Sequence, residues 1–542
     1  MYYKSLRVPL CVEQAARACG GNFQRFFPKH LKKRQGTDMA NQLASVNHVV
    51  QLMLENRSFD QMLGFLYEDS ENQSPTGQPF EGLTGNETNP DDTGREIQVF
   101  KIDNNSDHPY FMPGADPGEG FLNTNYQLFS TDDPAAGQVP DNRGFVLNFK
   151  SAIASDLAKH FKDTLPGTDP SEIMGMYTPD MLPIMSGLAK GFAVCDHWFA
   201  SAPTQTIPNR AFAAAGTSQG HLDNHVKIFT CPSIFGRLSD ANMDWAIYGY
   251  TKDPLTRLDF PDTQHADETH FGHFRDFKAR AAAGTLPAYA FLEPDFGSGG
   301  NSQHPNYDVA LGEQLIHDVY YALRHSPNWS ETLLVITYDE HGGNYDHVPP
   351  PSGAVPPDNS AGEFDFDFTR FGVRIPALLI SPLIPAGTVF RAASGTIDHT
   401  SVLKTIEDRW GLDPLTERDA AAPSLANVLT LAAPRTDDPL KGVVIPLANA
   451  TNPNLSHPSL LDRIHASRVA QLPVRNDKGS YDHHDPPDLS SSAAISDYIQ
   501  ARTAAWSQHM QRMRSRRQVK AAAGVRQPPA PKGNTPAKKK KR

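Results

Sequence analysis

Cysteine is scarce in this chain: four residues in 542, at Cys11, Cys19, Cys195 and Cys231, with no Cys-x-x-Cys pair among them. That scarcity argues against a disulfide framework and against a thiolate metal cage. Long apolar runs are missing as well, since no stretch approaches the roughly eighteen residues a helical membrane span needs. The first 38 residues carry scattered Lys and Arg but no sustained apolar core followed by a small-residue cleavage site, so no secretory signal is readable. Met39 stands just before the first strand pattern, which makes residues 1–38 an upstream extension and either Met1 or Met39 a candidate start. Positive charge is short over most of the chain. Twelve of the 50 basic residues fall in 511–542, which has no acid, and the remainder holds 38 basic against 61 acidic residues. An acidic body of that kind argues against broad binding to a nucleic-acid backbone and is compatible with a cation site.

The length suits one large α/β unit with insertions, or two domains sharing a cleft. The informative stretch is Leu333 to His347. Leu333 to Thr337 is a short aliphatic and β-branched run, the pattern of a strand buried on both faces, and it leads into Asp339-Glu340 and then Gly342-Gly343. In open α/β sheets ligands bind outside the carboxyl ends of strands, so a carboxylate pair there can hold a divalent cation; alone, it reads equally as a solvated acidic turn.

Two further stretches have the same design. Val46 to Leu54 reads as a first strand ending in Glu55-Asn56-Arg57-Ser58-Phe59-Asp60, whose carboxylate and amide oxygens are hard ligands. Ala211 to Ala215 continues a helix with Pro208 near its first position, which sets Thr206 at the helix N-terminus. A hydroxyl there either meets an anion drawn to the helix end or acts only as an N-cap.

The remaining readings are coarser. Residues 67–145 are rich in Gly, Pro, Asn, Asp and Thr and read as long loops covering the site; they contain His108 and the Asp116-Pro117-Gly118-Glu119 turn. Strands are expected around Trp245–Tyr248, Ala288–Glu293 and Val373–Ile380, and helices over Val309–Leu323, from Val402, and over Ser490–Met513. His265, His270 and His273 lie in one loop without the spacing of a rigid metal motif. Residues 413–480 read as a peripheral elaboration, and from Gln527 onward composition points to a disordered Pro- and Lys-rich tail.

Taken together, Glu55-Asn56-Arg57-Ser58-Phe59-Asp60, Thr206-x-Pro-Asn-Arg, His304-Pro305, Asp339-Glu340-His341-Gly342-Gly343 and Asp398-His399-Thr400-Ser401 follow one another over about 350 residues. This set resembles the bacterial phospholipase C and acid phosphatase phosphoesterase family over residues 46–412. The resemblance implies an α/β fold: a doubly wound, mostly parallel sheet with helices on both faces, long loop insertions and an alkaline phosphatase-like core. It divides the chain into an N-terminal extension (1–45), a catalytic domain (46–412), a C-terminal elaboration with a terminal helix (413–513) and a basic tail (514–542). It implies one divalent metal ion held by Glu55, Asn56, Thr206, Asp339 and Glu340, with Thr206 also the nucleophile and His304 the residue that binds a phosphoryl oxygen or protonates the leaving group. His108, Glu119, His347 and His399 are the further substrate-binding candidates. The family commonly carries histidine where Glu119 stands, and a carboxylate repels phosphate unless it is protonated or paired with a cation.

The activity implied is phosphoric ester hydrolysis through a phosphothreonine, most like a phospholipase C acting on a phospholipid-type diester. A broad acid phosphatase and a catalytically dead phosphate-binding protein are the alternatives. Nucleic acid is not an expected partner. With no readable signal the cytoplasm is the default location, although members of the resembled family are often exported. A choline head group would call for an aromatic pocket, with Tyr110, Phe111, Phe121, Tyr126 and Trp198 available.

Overall fold

The computed structural model describes residues 41–524, except 107, 160–162, 226–227, 252, 449–456, 473 and 475–489. The N-terminal extension up to residue 40 and the Pro- and Lys-rich tail lie outside the described residues.

An eight-stranded sheet forms the centre. In chain order its strands are β1 (His48–Leu54), β2 (Ala193–Val194), β3 (Trp245–Gly249), β4 (Phe271–His273), β5 (Tyr289–Leu292), β6 (Thr332–Tyr338), β7 (Ala377–Ile380) and β8 (Thr388–Val389). Across the sheet they run β8-β2-β7-β6-β1-β5-β3-β4. All neighbouring pairs are parallel except those made by β7, which is antiparallel to both β6 and β2. Every residue of β6 is buried, as is all of β1 beyond His48, so both sheet faces are covered there. This is the mostly parallel α/β sheet expected from the aliphatic runs. Fully burying each of their Leu, Ile and Val side chains contributes about 1.5–3 kcal/mol against the conformational entropy of folding.

The strand order places the site. From β1 the sheet grows in both directions, with β6 on one side and β5 on the other, the arrangement that opens a crevice at carboxyl ends. The register sharpens this: Leu54 pairs with Tyr338, so β1 and β6 end at the same level. Glu55-Asn56 and Asp339-Glu340 therefore leave the sheet side by side.

The loops of 67–145 form a second packed layer rather than a loose cover. Phe121–Phe129 is helical, and Phe129, Phe145 and Phe149 join Leu128 and Ile173 in a separate hydrophobic cluster. Past the family-like region, Leu460–Gln471 and the long helix Ser492–Gly524 pack on one another through Val469, Ile495, Ile499 and Trp506. Among the described residues no helix is long and apolar enough to cross a membrane.

Candidate active site

Asn56 is the centre of the geometry. Its backbone is left-handed (φ 55°), a conformation that asparagine tolerates better than most residues. Three contacts hold it there: its N–H donates to Asp339 Oδ1 at 2.9 Å, its carbonyl accepts from Asn344 Nδ2 at 3.0 Å, and its side-chain amide donates to Glu119 Oε2. The turn after β6 approaches this backbone so closely that a Cβ on Gly342 (φ 61°) would lie 2.2 Å from the Asn56 carbonyl oxygen. Glycine at 342 is thus what lets the two strand ends close on each other.

Thr206 opens the helix Thr206–Ala215 and is buried. Its hydroxyl donates to Asn56 Oδ1 at 3.2 Å, across 150 residues of sequence. It makes no N-cap bond, which separates the two sequence readings of this threonine in favour of a side chain aimed at the strand ends. One turn on, Arg210 Nε pairs with Asp339 Oδ2 at 3.0 Å and Nη2 donates to the Leu54 carbonyl at 3.0 Å, with the guanidinium over the Phe296 ring. Arg210 thereby fixes the helix to both strand ends. The N-terminal amide of Ile207 is already taken by Asn224 Oδ1 at 2.8 Å, and Pro208 has none. Attraction of an anion to this helix end consequently rests on the dipole more than on a bank of free N–H groups.

Glu55, Glu119, Thr206, Asn224, Phe296 and His304 line one narrow cavity together with Ser459, Leu460 and Leu461. The last three lie beyond residue 412, in the segment expected to be peripheral. His304 Nδ1 faces the Pro305 carbonyl at 3.0 Å. A carbonyl only accepts, so the proton sits on Nδ1 and Nε2 is left towards Asp116 Oδ1, 3.9 Å away. Arg57 holds this loop from beneath through the carbonyls of Gln303 (2.6 Å) and His304 (3.1 Å).

Negative charge is in excess here. Burial pushes Glu119 up to about 8, with Asp116 and Asp339 adding to it, and pushes Glu55 up to about 7, with His304 opposing and Asp339 reinforcing. Glu340 is also held well above the ordinary carboxylate range by burial, then by Glu119 and Asp339. Glu55 Oε2 and Glu340 Oε1 are buried and have no hydrogen-bond partner. Orphaned carboxylate oxygens beside Asn56 and Thr206 fit a hard cation, which would relieve both the desolvation and the repulsion. The fit is looser at Asp339, whose oxygens face the amides of Asn56 and Glu340 and the Arg210 guanidinium.

Two tight groups of possible ligand atoms occur among the described residues, each within 4.8 Å: Asp116, Glu119 and His304 at the cavity, and Asp60, Asp346 and His347 behind it. The second group is already balanced. Arg374 Nη2 pairs with Asp60 at 2.8 Å and Nε with Asp346 at 2.9 Å, while His347 Nδ1 meets the other Asp60 oxygen at 2.6 Å.

Of the sequence-derived residues, Glu55, Asn56, Glu119, Thr206, His304, Asp339 and Glu340 are gathered at the strand ends. His347 belongs to the Arg374 cluster, and burial opposes its proton while Asp60 raises its pKa. His399 is fully buried and its Nε2 meets the Asp339 carbonyl at 2.6 Å, behind the carboxylates. His108 begins the turn Pro109–Phe111, near Glu172. None of these three is among the cavity-lining residues. None of the five aromatic candidates lines the cavity: Tyr110, Phe111, Phe121 and Trp198 are buried in the packing, Tyr126 is half-buried on the helix Phe121–Phe129, and the ring at the cavity is Phe296. Sequence reasoning missed Gln205 and Asn224, which both donate to Glu119 Oε1 (3.1 and 3.2 Å). Arg210 was visible inside the Thr206 motif but had no assigned role.

The described chain matches the phosphoesterase family over residues 46–413. Non-specific phospholipase C6 of Arabidopsis thaliana is 37% identical over 430 residues, covering 75% of this chain and 77% of that protein. Non-specific phospholipase C3 of the same plant is 35% identical, covering 74% and 77%. Phospholipase C A of Mycobacterium tuberculosis is 28% identical, covering 77% and 81%.

Proposed function

This chain belongs to the phosphoesterase family, and from that premise we propose that it is a phospholipase C-type hydrolase whose nucleophile is Thr206. The observation that carries the proposal is the Thr206 hydroxyl, buried at a helix N-terminus and turned onto Asn56 among orphaned carboxylate oxygens. A divalent cation held by Glu55, Asn56, Thr206, Asp339 and Glu340 would supply Lewis-acid charge that acidifies the hydroxyl and neutralises the phosphoryl group.

Thr206 Oγ1 attacks phosphorus in line with the ester bond to the alcohol. The Thr206 hydroxyl loses its proton to water as the O–P bond forms, the P–O bond to the alcohol breaks, and the alcohol oxygen takes a proton. His304, which lines the cavity with its Nδ1 held by the Pro305 carbonyl, would supply that proton from Nε2 when its imidazole is doubly protonated. The product on the enzyme is a phosphothreonine, which still carries the head group when the substrate is a diester. Water then attacks the same phosphorus and gives a proton to His304, the P–O bond to Thr206 breaks, and the threonine oxygen takes a proton from water to leave as the hydroxyl. Arg210 keeps the threonine's helix fixed to the strand ends throughout, so attack needs little reorganisation. The substrate class that fits the relatives is a phospholipid-type diester; their names mark them as phospholipases C.

The test is nitrophenol release from nitrophenyl phosphorylcholine by wild type and Thr206→Ala, each stripped of metal and resupplied with single divalent ions. Turnover that needs an ion and disappears in Thr206→Ala is expected. Turnover of nitrophenyl phosphate alone would make the chain an acid phosphatase instead, and turnover of neither substrate would make it a phosphate-binding protein.

A further inference from the structure

Phe296 lines a second pocket besides the cavity at Thr206. This pocket measures about 320 Å³ and lies at the carboxyl ends of β5 and β3, the strands that follow β1 in the sheet, with residues of both C-terminal helices on its other side. The helix Leu460–Gln471 serves both spaces: Leu460 and Leu461 line the cavity, Asp462 and His465 the pocket. We propose that the pocket is a head-group subsite, in which Asp295, Asp462 and the His465 imidazole receive a primary ammonium group carried by the phosphodiester. The inference rests on the reading of Thr206 as the nucleophile of a diesterase.

The two carboxylates flank Gly297, where a Cβ would lie 3.4 Å from Asp295 Oδ1 and 3.6 Å from Asp462 Oδ2. Burial and then Asp295 push Asp462 up to about 6, and the neighbouring Arg463 opposes this less than either does. No lysine or arginine stands among the described residues that line the pocket. His465 is the independent observation. It is only 6% exposed, it lines the pocket, and its Nε2 has no hydrogen-bond partner. The imidazole donates to the Asp253 backbone, and with Nε2 unpartnered the donor is Nδ1, so Nε2 is a bare lone pair. Burial lowers its pKa to about 4, which keeps the ring a neutral acceptor.

Two carboxylates and an imidazole lone pair, with no cation of their own, repel an anion and suit a ligand that brings both positive charge and N–H donors. A primary ammonium carries three such donors, whereas a quaternary one would leave His465 Nε2 unsatisfied. The three groups do not form one of the tight ligand sets described above, and the pocket has the size of a small organic ligand's site, so an organic cation fits better than a bare ion. The Tyr250 and Phe296 rings at its wall add apolar surface for the methylenes that carry the ammonium.

Turnover of nitrophenyl phosphorylethanolamine is compared with that of nitrophenyl propyl phosphate, in which a methyl group replaces the ammonium. Wild type should favour the ammonium substrate by about tenfold or more in kcat/KM, mainly through KM. Asp462→Asn should cut that ratio several-fold. Ser496→Lys should do the same by placing a competing ammonium in the pocket from an exposed position on the helix Ser492–Gly524. The ratio is taken within each protein, so a partly folded variant does not distort it. A wild-type ratio near one, or a ratio that survives in both variants, would overturn the subsite and leave the hydrolase reading in place. Turnover of neither substrate would remove the hydrolase reading, and titration with ethanolamine followed by NMR would then decide the pocket alone: binding to wild type that Asp462→Asn abolishes supports an ammonium site, and no binding overturns it.

Discussion

Thr206 Oγ1 donates to Asn56 Oδ1 over 3.2 Å, joining the first strand's end to a helix 150 residues later. Glu119 holds the other end of the same amide, so the orientation of Asn56 is set from both sides.

Asn56→Gly keeps a left-handed backbone without strain and deletes only the amide. Loss of a preorganised polar group at a reacting centre typically costs 10²–10³ in rate, so kcat should fall by about 100-fold or more. The urea midpoint should stay near that of wild type. Unchanged kcat would mean that Asn56 does not position the threonine.

Arg374→Met should destabilise the fold by about 3–5 kcal/mol, because it leaves Asp60 and Asp346 buried without their partner. Urea denaturation reads this directly. Bound metal per folded chain should not change, since this cluster is balanced by charge within the protein; a loss of metal with retained stability would contradict that view.

Glu313 gives the pH dependence. It is fully buried, accepts from the Ile184 and Met185 amides at 2.7 and 3.0 Å, and burial pushes it from 4.5 up to about 8. The folded state holds the proton more tightly than the unfolded state. This contribution is therefore fully present below about 4.5 and is lost as pH rises through about 8. Between pH about 5 and about 8.5 the group should cost wild type on the order of 2–4 kcal/mol, and Glu313→Gln should flatten that part of the profile. Parallel profiles for the two proteins would show that Glu313 does not titrate in this window.

Much of the core was legible because burial leaves a compositional mark. The aliphatic runs gave β1 as Val46–Leu54 against His48–Leu54 observed, and β6 as Leu333–Thr337 against Thr332–Tyr338. The run Val373–Ile380 was a strand only from Ala377, and its antiparallel direction left no trace in composition. At the site, residues next to strand ends and a helix start were readable from local pattern. Gln205 and Asn224 were not, since what recruits them is Glu119, more than 80 residues away. His347 and His399 follow site motifs in sequence, yet local chain direction turns them to Asp60 and to the Asp339 carbonyl. The aromatic candidates failed for a related reason: large rings are drawn to any apolar packing, so their presence near a site motif does not aim them at it.

The central claim is that Thr206 carries the substrate's phosphorus. Metal-restored wild type and Thr206→Ala are mixed with nitrophenyl phosphorylcholine, quenched in acid within one turnover, digested, and the peptide containing residue 206 is analysed by mass spectrometry. The account predicts a phosphorylcholine adduct on Thr206 in wild type, formed together with a burst of nitrophenol, and neither in Thr206→Ala. Steady turnover of the diester by Thr206→Ala, or an adduct on another residue, would contradict it.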